Sequence, residues 1–114
     1  MIVYGIKNCD TVKKARRWLE ANDVPFQFHD FRADGLDQST IESWLENVSW
    51  EILLNKRGTT WRKLEDPRKE QLDQQIAVEL MLANPTLIKR PVVTVNDECM
   101  VGFKEADYAA YFAN

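Results

Sequence analysis

The chain begins Met1-Ile2-Val3-Tyr4-Gly5-Ile6-Lys7-Asn8-Cys9-Asp10-Thr11-Val12. The apolar run at residues 1–6 predicts a strand, and the apolar repeat that starts near Thr11 predicts a helix. Cys9 therefore lies where a strand leads into a helix. Because the first amide groups of a helix have no carbonyl partner, they stabilise a nearby thiolate by roughly 0.3–1 kcal/mol. The thiolate is the reactive form of cysteine, so Cys9 is a candidate catalytic nucleophile.

The alternative for Cys9 is a small buried hydrophobe, which is the common environment of a free cysteine. Its neighbours Asn8, Asp10 and Thr11 are polar, as is typical of a loop that leads into a helix. This setting favours the functional interpretation.

Length, charge and cysteine content limit the class of protein. The chain has 114 residues and a net charge of −3, and we expect a single domain over residues 1–114 without a nucleic-acid surface. No signal peptide and no membrane span are predicted, since no basic segment precedes a long apolar run. Because Cys9 and Cys99 are its cysteines and no secretory signal is predicted, the chain is expected to be cytoplasmic with free thiols. We also expect a monomer. These two residues and His29 are too few for a structural zinc site.

Patterns along the first two thirds of the chain predict a strand, a helix and a strand, followed by a helical segment. Phe26 and Phe28 alternate with polar residues, so residues 1–31 form a βαβ unit with parallel strands. A capping box at 39–42 precedes an amphipathic helix with Ile41, Trp44, Leu45 and Val48 on its apolar side. Another helix is expected from about Pro67 to Ala83.

The last third predicts a hairpin and a final helix. Val92-Val93-Thr94-Val95 is a β-prone run, and a turn at 96–98 leads into a return strand from Cys99 to Phe103. Lys104 to Phe112 has the pattern of a helix. The whole order matches a thioredoxin-like α/β fold with a mixed four-stranded sheet and a helical insertion. In that architecture a proline precedes the third strand and faces the first strand–helix junction, so we predict a cis Arg90–Pro91 bond.

Three motifs resemble the arsenate reductase (ArsC-type) family, which includes the Spx-type regulators. The motifs are residues 4–15 around Cys9, residues 53–64 (Leu-Leu-Asn-Lys-Arg-Gly-Thr-Thr-Trp-Arg-Lys-Leu) and residues 87–93 (Leu-Ile-Lys-Arg-Pro-Val-Val). The resemblance covers nearly the whole chain and is closest to the bacterial YffB-like branch. It implies a thioredoxin-like fold and glutathione-dependent thiol reduction. In the family, the residue that matches Arg90 binds an oxyanion beside the cysteine.

The sequence departs from both better-known branches of that family. True arsenate reductases carry three arginines around the cysteine; here Arg90 retains one, and Asn55 occupies a second position with Arg57 two residues on. The third position falls near residues 101–103, where there is no arginine. Spx-type regulators carry Cys-x-x-Cys, whereas this chain has Val12 in the second position, so any disulfide exchange must use one local thiol.

We therefore expect an oxidoreductase in which Cys9 attacks a disulfide and glutathione, as co-substrate, releases the product. No bound cofactor and no metal are expected. The ligand is expected to contact Lys7, Asn8, Thr11, Arg57, Arg90 and Pro91. One alternative is an Spx-like binding protein that contacts RNA polymerase, and another is a weak arsenate reductase.

Three further features each have two interpretations. The loop at 55–62, which carries Lys56, Arg57 and Arg62, either binds an anionic ligand or is simply solvated. Cys99 could resolve a disulfide, but its alternation with Val101 and Phe103 favours a buried, inert thiol. His29 is expected to be a hydrogen-bonded structural residue rather than a catalytic base.

Overall fold

The computed structural model describes residues 1–113, and its elements follow the predicted order. They are β1 (Ile2–Gly5), α1 (Asp10–Ala21), β2 (Gln27–Asp30), α2 (Gln38–Trp44), α3 (Trp50–Leu53), α4 (Thr59–Lys63), a 3-10 helix (Pro67–Gln71), α5 (Gln74–Ala83), a second 3-10 helix (Pro85–Leu87), β3 (Val92–Val95), β4 (Glu98–Val101) and α6 (Glu105–Tyr111). Across the described residues, no helix has both the length and the apolar character that crossing a membrane needs.

The chain forms two compact units. The first contains Met1–Gly35 and the chain from Arg90 onward, and the second contains Leu36–Lys89. A single domain over residues 1–114 stays a prediction, which is tested by whether both units unfold in one transition.

The first unit contains a four-stranded sheet with the strand order β2-β1-β3-β4. β1 pairs in parallel with β2, while β3 pairs antiparallel with both β1 and β4. The predicted βαβ unit and the mixed sheet are confirmed, and the fold is the α/β, thioredoxin-like fold. The Arg90–Pro91 peptide bond is cis, as predicted.

One face of the sheet is covered by α1 and α6. α1 is amphipathic because Val12, Ala15 and Leu19 fall on one side at helical spacing, and all three are buried. The cluster on this face joins residues of both helices to two neighbouring strands: Val3, Ala15, Leu19, Val93 and Tyr108. The sheet and these two helices therefore hold the segment that contains Cys9.

The hairpin ends earlier than the sequence predicts. Its turn consists of Asn96 and Asp97, both with positive φ (50° and 64°), as two-residue hairpin turns require. β4 ends at Val101, and Gly102 has a φ of 85°. This turn of the backbone lets Phe103 pack against Tyr108, with ring centroids 4.7 Å apart. The predicted alternation that put Phe103 on the same face as Cys99 is therefore wrong.

The second unit contains the helical insertion, and the predicted helix over 67–83 is wrong at its start. A 3-10 helix ends at Gln71, and α5 begins at Gln74. The Asp73 carboxylate accepts the Ile76 N–H at 2.8 Å and caps α5, so the chain cannot continue as one helix. The N-cap of α2 is likewise Asp37 rather than Ser39, because the Asp37 carboxylate accepts the Thr40 N–H at 2.9 Å. α2 ends at Trp44, so Val48 lies outside it.

Gly5 is required by its close approach to α1. A Cβ at this position would lie 2.8 Å from Cγ2 of Val12, whose side chain is fully buried. We expect Gly5→Ala to lower the free energy of unfolding by about 1–3 kcal/mol, since overpacking must displace the helix. Urea unfolding of the single variants and of Gly5→Ala/Val12→Ala measures the coupling. Strictly additive effects would contradict the contact.

Candidate functional site

Cys9 is the N-cap residue of α1, as the sequence predicts. Its backbone is extended (φ −111°, ψ 125°), and its side chain makes no capping hydrogen bond. Its carbonyl accepts the Lys13 N–H at 2.9 Å, and its own N–H donates to the Ile6 carbonyl at 3.2 Å. The segment 6–9 is thus a tight connection from β1 to α1. The thiol is free and partly exposed, and it is available for chemistry at the start of a twelve-residue helix.

Arg90 and Pro91 lie at the same end of the sheet as this connection. β1 and β3 are antiparallel, and Tyr4 near the end of β1 is opposite Val92 at the start of β3. The residues before β3 and after β1 therefore leave the sheet side by side. Pro91 is buried and its carbonyl accepts the Gly102 N–H at 2.8 Å, while Arg90 is half-buried. The register thus brings Arg90 and Pro91 to the end of the sheet at which the chain leaves β1 toward Cys9.

Asp30 anchors the other side of the connection, and the sequence interpretation missed it. It ends β2, which runs parallel to β1, and its carboxylate accepts the Lys7 N–H at 3.1 Å. The same carboxylate accepts N–H groups of Arg32 (2.7 Å) and Ala33 (3.2 Å). Burial acts to raise the pKa of Asp30, but these three donors outweigh it and hold the pKa below its usual value. An aspartate at the end of a strand that leads into a turn was the available signal.

The lowered pKa of Asp30 gives a pH-dependent contribution to stability. A carboxylate with a depressed native pKa stabilises the fold above its unfolded pKa and loses that contribution as pH falls through the native value. We expect Asp30→Asn to be less stable than wild type near neutral pH, with a difference that shrinks between about pH 5 and about pH 2. Urea unfolding at several pH values measures this difference in the free energy of unfolding. Asp97→Asn, in the exposed hairpin turn, is the matched control; a constant difference for Asp30→Asn would contradict the assignment.

The remaining predicted ligand contacts fall in different places. Lys7, Asn8 and Thr11 are exposed beside Cys9 in the first unit. Arg57 is in the second unit, where its N–H donates to the Asn55 side chain at 3.0 Å. A cleft of about 490 Å³ in that unit is lined by Glu51, Ile52, Leu54, Asn55, Lys56, Arg57 and Lys89. The predicted basic loop is shorter than expected, because α4 begins at Thr59.

Cys99 is half-buried, as Cys9 is, rather than fully buried as the sequence predicts, but it lies within a strand and not at a helix start. It lies in β4 opposite Thr94, and burial raises the pKa of its thiol to about 11. At pH 8 such a thiol holds roughly 100-fold less thiolate than an ordinary cysteine. We expect iodoacetamide to label Cys99 slower than a free cysteine by about that factor in the folded protein, and at the ordinary rate in urea. Peptide mapping by mass spectrometry measures it; fast labelling of the folded protein would contradict the burial.

His29 has a structural role, as expected. Its Nε2 donates to the Gly35 carbonyl at 2.7 Å, and its ring packs against Tyr4 at a centroid distance of 5.0 Å. Within residues 1–113, no group of three or more His, Cys, Asp or Glu side chains is arranged to hold a metal ion.

Comparison with known proteins places these features in a family. The model of the ArsC family matches residues 4–111, which include Cys9, the motif at residues 53–64 and Arg90-Pro91. The chain belongs to the ArsC family. The predicted resemblance is confirmed, and the protein has the thiol-reductase-like fold of this family.

Relatives of this ArsC-family chain cover most of its length. An uncharacterised protein of Haemophilus influenzae is 46% identical over 97% of both chains. A solved structure of a YFFB protein is 47% identical, with a TM-score of 0.93 over 98% of each chain. An arsenate reductase (ArsC) related protein from Brucella melitensis is 50% identical, with a TM-score of 0.79 over 99% of this chain and 94% of that one. The global transcriptional regulator Spx of Streptococcus mutans is 31% identical over 91% of this chain and 77% of its own.

Proposed function

We propose that this ArsC-family protein is a glutathione-dependent thiol–disulfide reductase with Cys9 as its single nucleophile. The observation that carries the proposal is the position of Cys9. Its side chain is not used for capping, it is partly exposed, and it stands at the positive end of α1. The sulfur at this position is accessible to a disulfide substrate. Because a reducing compartment keeps the Cys9 thiol free, we propose a cytoplasmic location. We also propose that the protein acts as a monomer.

The reaction has two exchange steps. The Cys9 thiolate attacks the glutathione sulfur of a mixed disulfide; a Cys9–glutathione bond forms, the substrate S–S bond breaks, and the leaving thiolate takes a proton from solvent. A second glutathione thiolate then attacks the Cys9–glutathione bond, which releases oxidised glutathione and restores the Cys9 thiolate. An external thiol is needed because Val12 occupies the position where a dithiol relative would have its second cysteine.

The residues around Cys9 fit an anionic thiol ligand. Glutathione carries two carboxylates, and the planar guanidinium of Arg90 can bind one of them through two parallel hydrogen bonds. Asn8 and Thr11 are exposed beside Cys9 and supply further hydrogen-bonding groups, and Lys7 adds positive charge. Pro91 holds Arg90 at this end of the sheet. The contact of Arg57 with the ligand stays a prediction from the family motif.

Exposure to oxidised glutathione followed by intact mass spectrometry tests this function. We expect one glutathionyl group per chain, located at Cys9 by peptide mapping, and its removal by reduced glutathione. At pH 7, Cys9 is also expected to alkylate faster than Cys99. If no adduct forms at Cys9, or if the only adduct is at Cys99, the proposed function is wrong.

A regulatory binding protein is the second candidate, favoured by the similarity to the transcriptional regulator Spx over 91% of this chain. In this case the protein would contact RNA polymerase without turnover. Affinity purification of wild type and Cys9→Ser from cell extract discriminates the two functions. A stoichiometric complex with RNA polymerase that persists in Cys9→Ser, together with no reductase activity, would favour regulation.

Weak arsenate reduction is the third candidate, supported by the 50% identity to the ArsC-related protein of Brucella melitensis. The loss of two arginine positions argues for low activity, since a tetrahedral oxyanion loses charge-assisted hydrogen bonds. A coupled assay with arsenate and glutathione decides it: absence of arsenate-dependent turnover eliminates this candidate.

A further inference from the structure

Three cations on α1 line a shallow cleft, and none of them forms an ion pair within residues 1–113. Lys13, Arg16 and Arg17, together with Glu20, surround a volume of about 160 Å³. The ion pairs observed in the described part of the chain join Arg68 to Asp66 and Glu79, so they lie elsewhere. Even Glu20, one helical turn from Arg16, forms no ion pair with these cations. We define these three cations and the cleft between them as the α1 basic cleft.

The arrangement of charges does not favour the helix itself. Lys13 is three residues from Arg16 and four from Arg17, and like charges at these spacings destabilise a helix. An anion bound between them would relieve this repulsion. A bound carboxylate would therefore stabilise the charge arrangement of the α1 basic cleft.

Arg16 is held in place by its packing. Its guanidinium lies over the Phe28 ring at 4.2 Å, and its Nε is buried without a hydrogen-bond acceptor from residues 1–113. A stacked guanidinium has a fixed plane, so it loses little side-chain freedom when it binds a carboxylate. Lys13 and Arg17 are exposed on either side and can adjust to the ligand.

The α1 basic cleft lies on the same side of the helix as Cys9. Lys13, Arg16 and Arg17 follow Cys9 by four, seven and eight residues, which is the spacing of one helix face. The 2.9 Å bond from the Lys13 N–H to the Cys9 carbonyl fixes the first of these turns. At 1.5 Å rise per residue, Arg16 and Arg17 lie roughly 10–12 Å from Cys9 along the helix axis. An extended peptide covers that distance in about three to four residues.

We propose that the α1 basic cleft binds an acidic side chain of the peptide whose mixed disulfide Cys9 reduces, three to four residues from the reacting cysteine. This inference rests on the proposed function and names its substrate class: glutathionylated peptides with a Glu or Asp at that spacing. The carboxylate is bound by Arg16 and Arg17, with Lys13 adding charge. The cleft thereby selects among substrates, while the groups beside Cys9 bind glutathione.

Paired glutathionylated peptides test the selectivity. One peptide has Glu three and four residues after the cysteine, and its partner has Gln at the same positions. We expect kcat/KM to be roughly tenfold higher for the Glu peptide at low salt, as a charge-assisted hydrogen bond implies. The preference should fall with ionic strength. Arg17→Ala should remove most of it, whereas Lys14→Ala, which removes an equal charge from another face of α1, should retain it.

Equal kcat/KM values for the two peptides would overturn the inference while leaving the proposed function intact. So would an equal loss of preference in Lys14→Ala and Arg17→Ala, since that would indicate a general field rather than a site. Arg16→Lys, which keeps the charge but not the planar fork, should lower the preference without unfolding the protein.

A binding measurement separates this inference from the reductase activity. Cys9→Ser is titrated with the unmodified Glu peptide, carrying serine for cysteine, and the backbone amide resonances of α1 are followed by NMR. Shifts at residues 13–17 that are absent with the Gln peptide support the cleft even if turnover fails. No shifts, or equal shifts with glutathione alone, would overturn it.

Discussion

Cys9→Ser is expected to form no mixed disulfide with oxidised glutathione and to lose all glutathione-dependent reductase activity. A serine hydroxyl has nearly the same shape as the thiol, but it does not ionise near neutral pH and cannot form an S–S bond. The fold should be unaffected, because the Cys9 side chain makes no capping hydrogen bond and serine is a preferred N-cap residue. Any loss of activity in this variant is therefore due to the missing thiolate and not to unfolding.

Cys99→Ser is the matched control for that experiment. Cys99 lies in β4, and burial raises the pKa of its thiol to about 11, so little thiolate is present at neutral pH. We expect this variant to keep the full yield of adduct and full turnover. Intact mass spectrometry and a coupled glutathione reductase assay measure both quantities. An adduct of equal yield in Cys9→Ser, or loss of activity in Cys99→Ser, would transfer the nucleophilic role to Cys99.

Tyr108→Ala is expected to cause the largest loss of stability, about 3–5 kcal/mol, as for other buried aromatic residues. Tyr108 is 1% exposed at the centre of the packing between α1 and α6, and its ring contacts those of Trp18, Phe103 and Phe112. Since proteins of this size are stable by only about 5–15 kcal/mol, the variant should be partly unfolded at 37 °C or in mild urea.

Tyr108→Phe separates the ring from the hydroxyl group. The Tyr108 hydroxyl donates to the Gly102 carbonyl at 2.9 Å, and phenylalanine leaves that carbonyl without this donor. We expect a loss of about 1–2 kcal/mol, since the aromatic packing remains. Urea unfolding of both variants gives the two values. Equal losses in the two variants would mean that the hydrogen bond, rather than the packing, accounts for the stability.

The strands and α1 could be predicted because their signals are local, whereas the cis proline followed from the order of the elements. β-branched residues at 92–95 favour a strand wherever they occur, and the buried spacing of Val12, Ala15 and Leu19 matches only a helix. The position of Cys9 followed directly from these two elements. Arg90 and Pro91 followed from the motif and from the architecture in which a proline precedes the third strand; the register of β1 and β3 brings both residues to the end of the sheet where Cys9 lies.

The features that were missed depend on competing or distant contacts. α5 starts at Gln74 because the Asp73 side chain caps it, and the apolar repeat before that point gives no indication of the break. Asp30 contacts Lys7 across 23 residues of sequence, so its place before a turn predicts the local turn contacts but not this one. The expected contact of Arg57 with the ligand comes from the family motif alone and stays a prediction.

Val12 determines what an oxidised form of this protein can be. Its methyl groups fill the space against Gly5, so the third residue after Cys9 belongs to the hydrophobic core and not to the redox chemistry. A dithiol protein closes its own disulfide at a high effective concentration, so its oxidised fraction depends on its own reduction potential as well as on the surrounding thiol pool. If, as proposed, Cys9 exchanges with glutathione, the oxidised fraction depends on the ratio of oxidised to reduced glutathione around the protein.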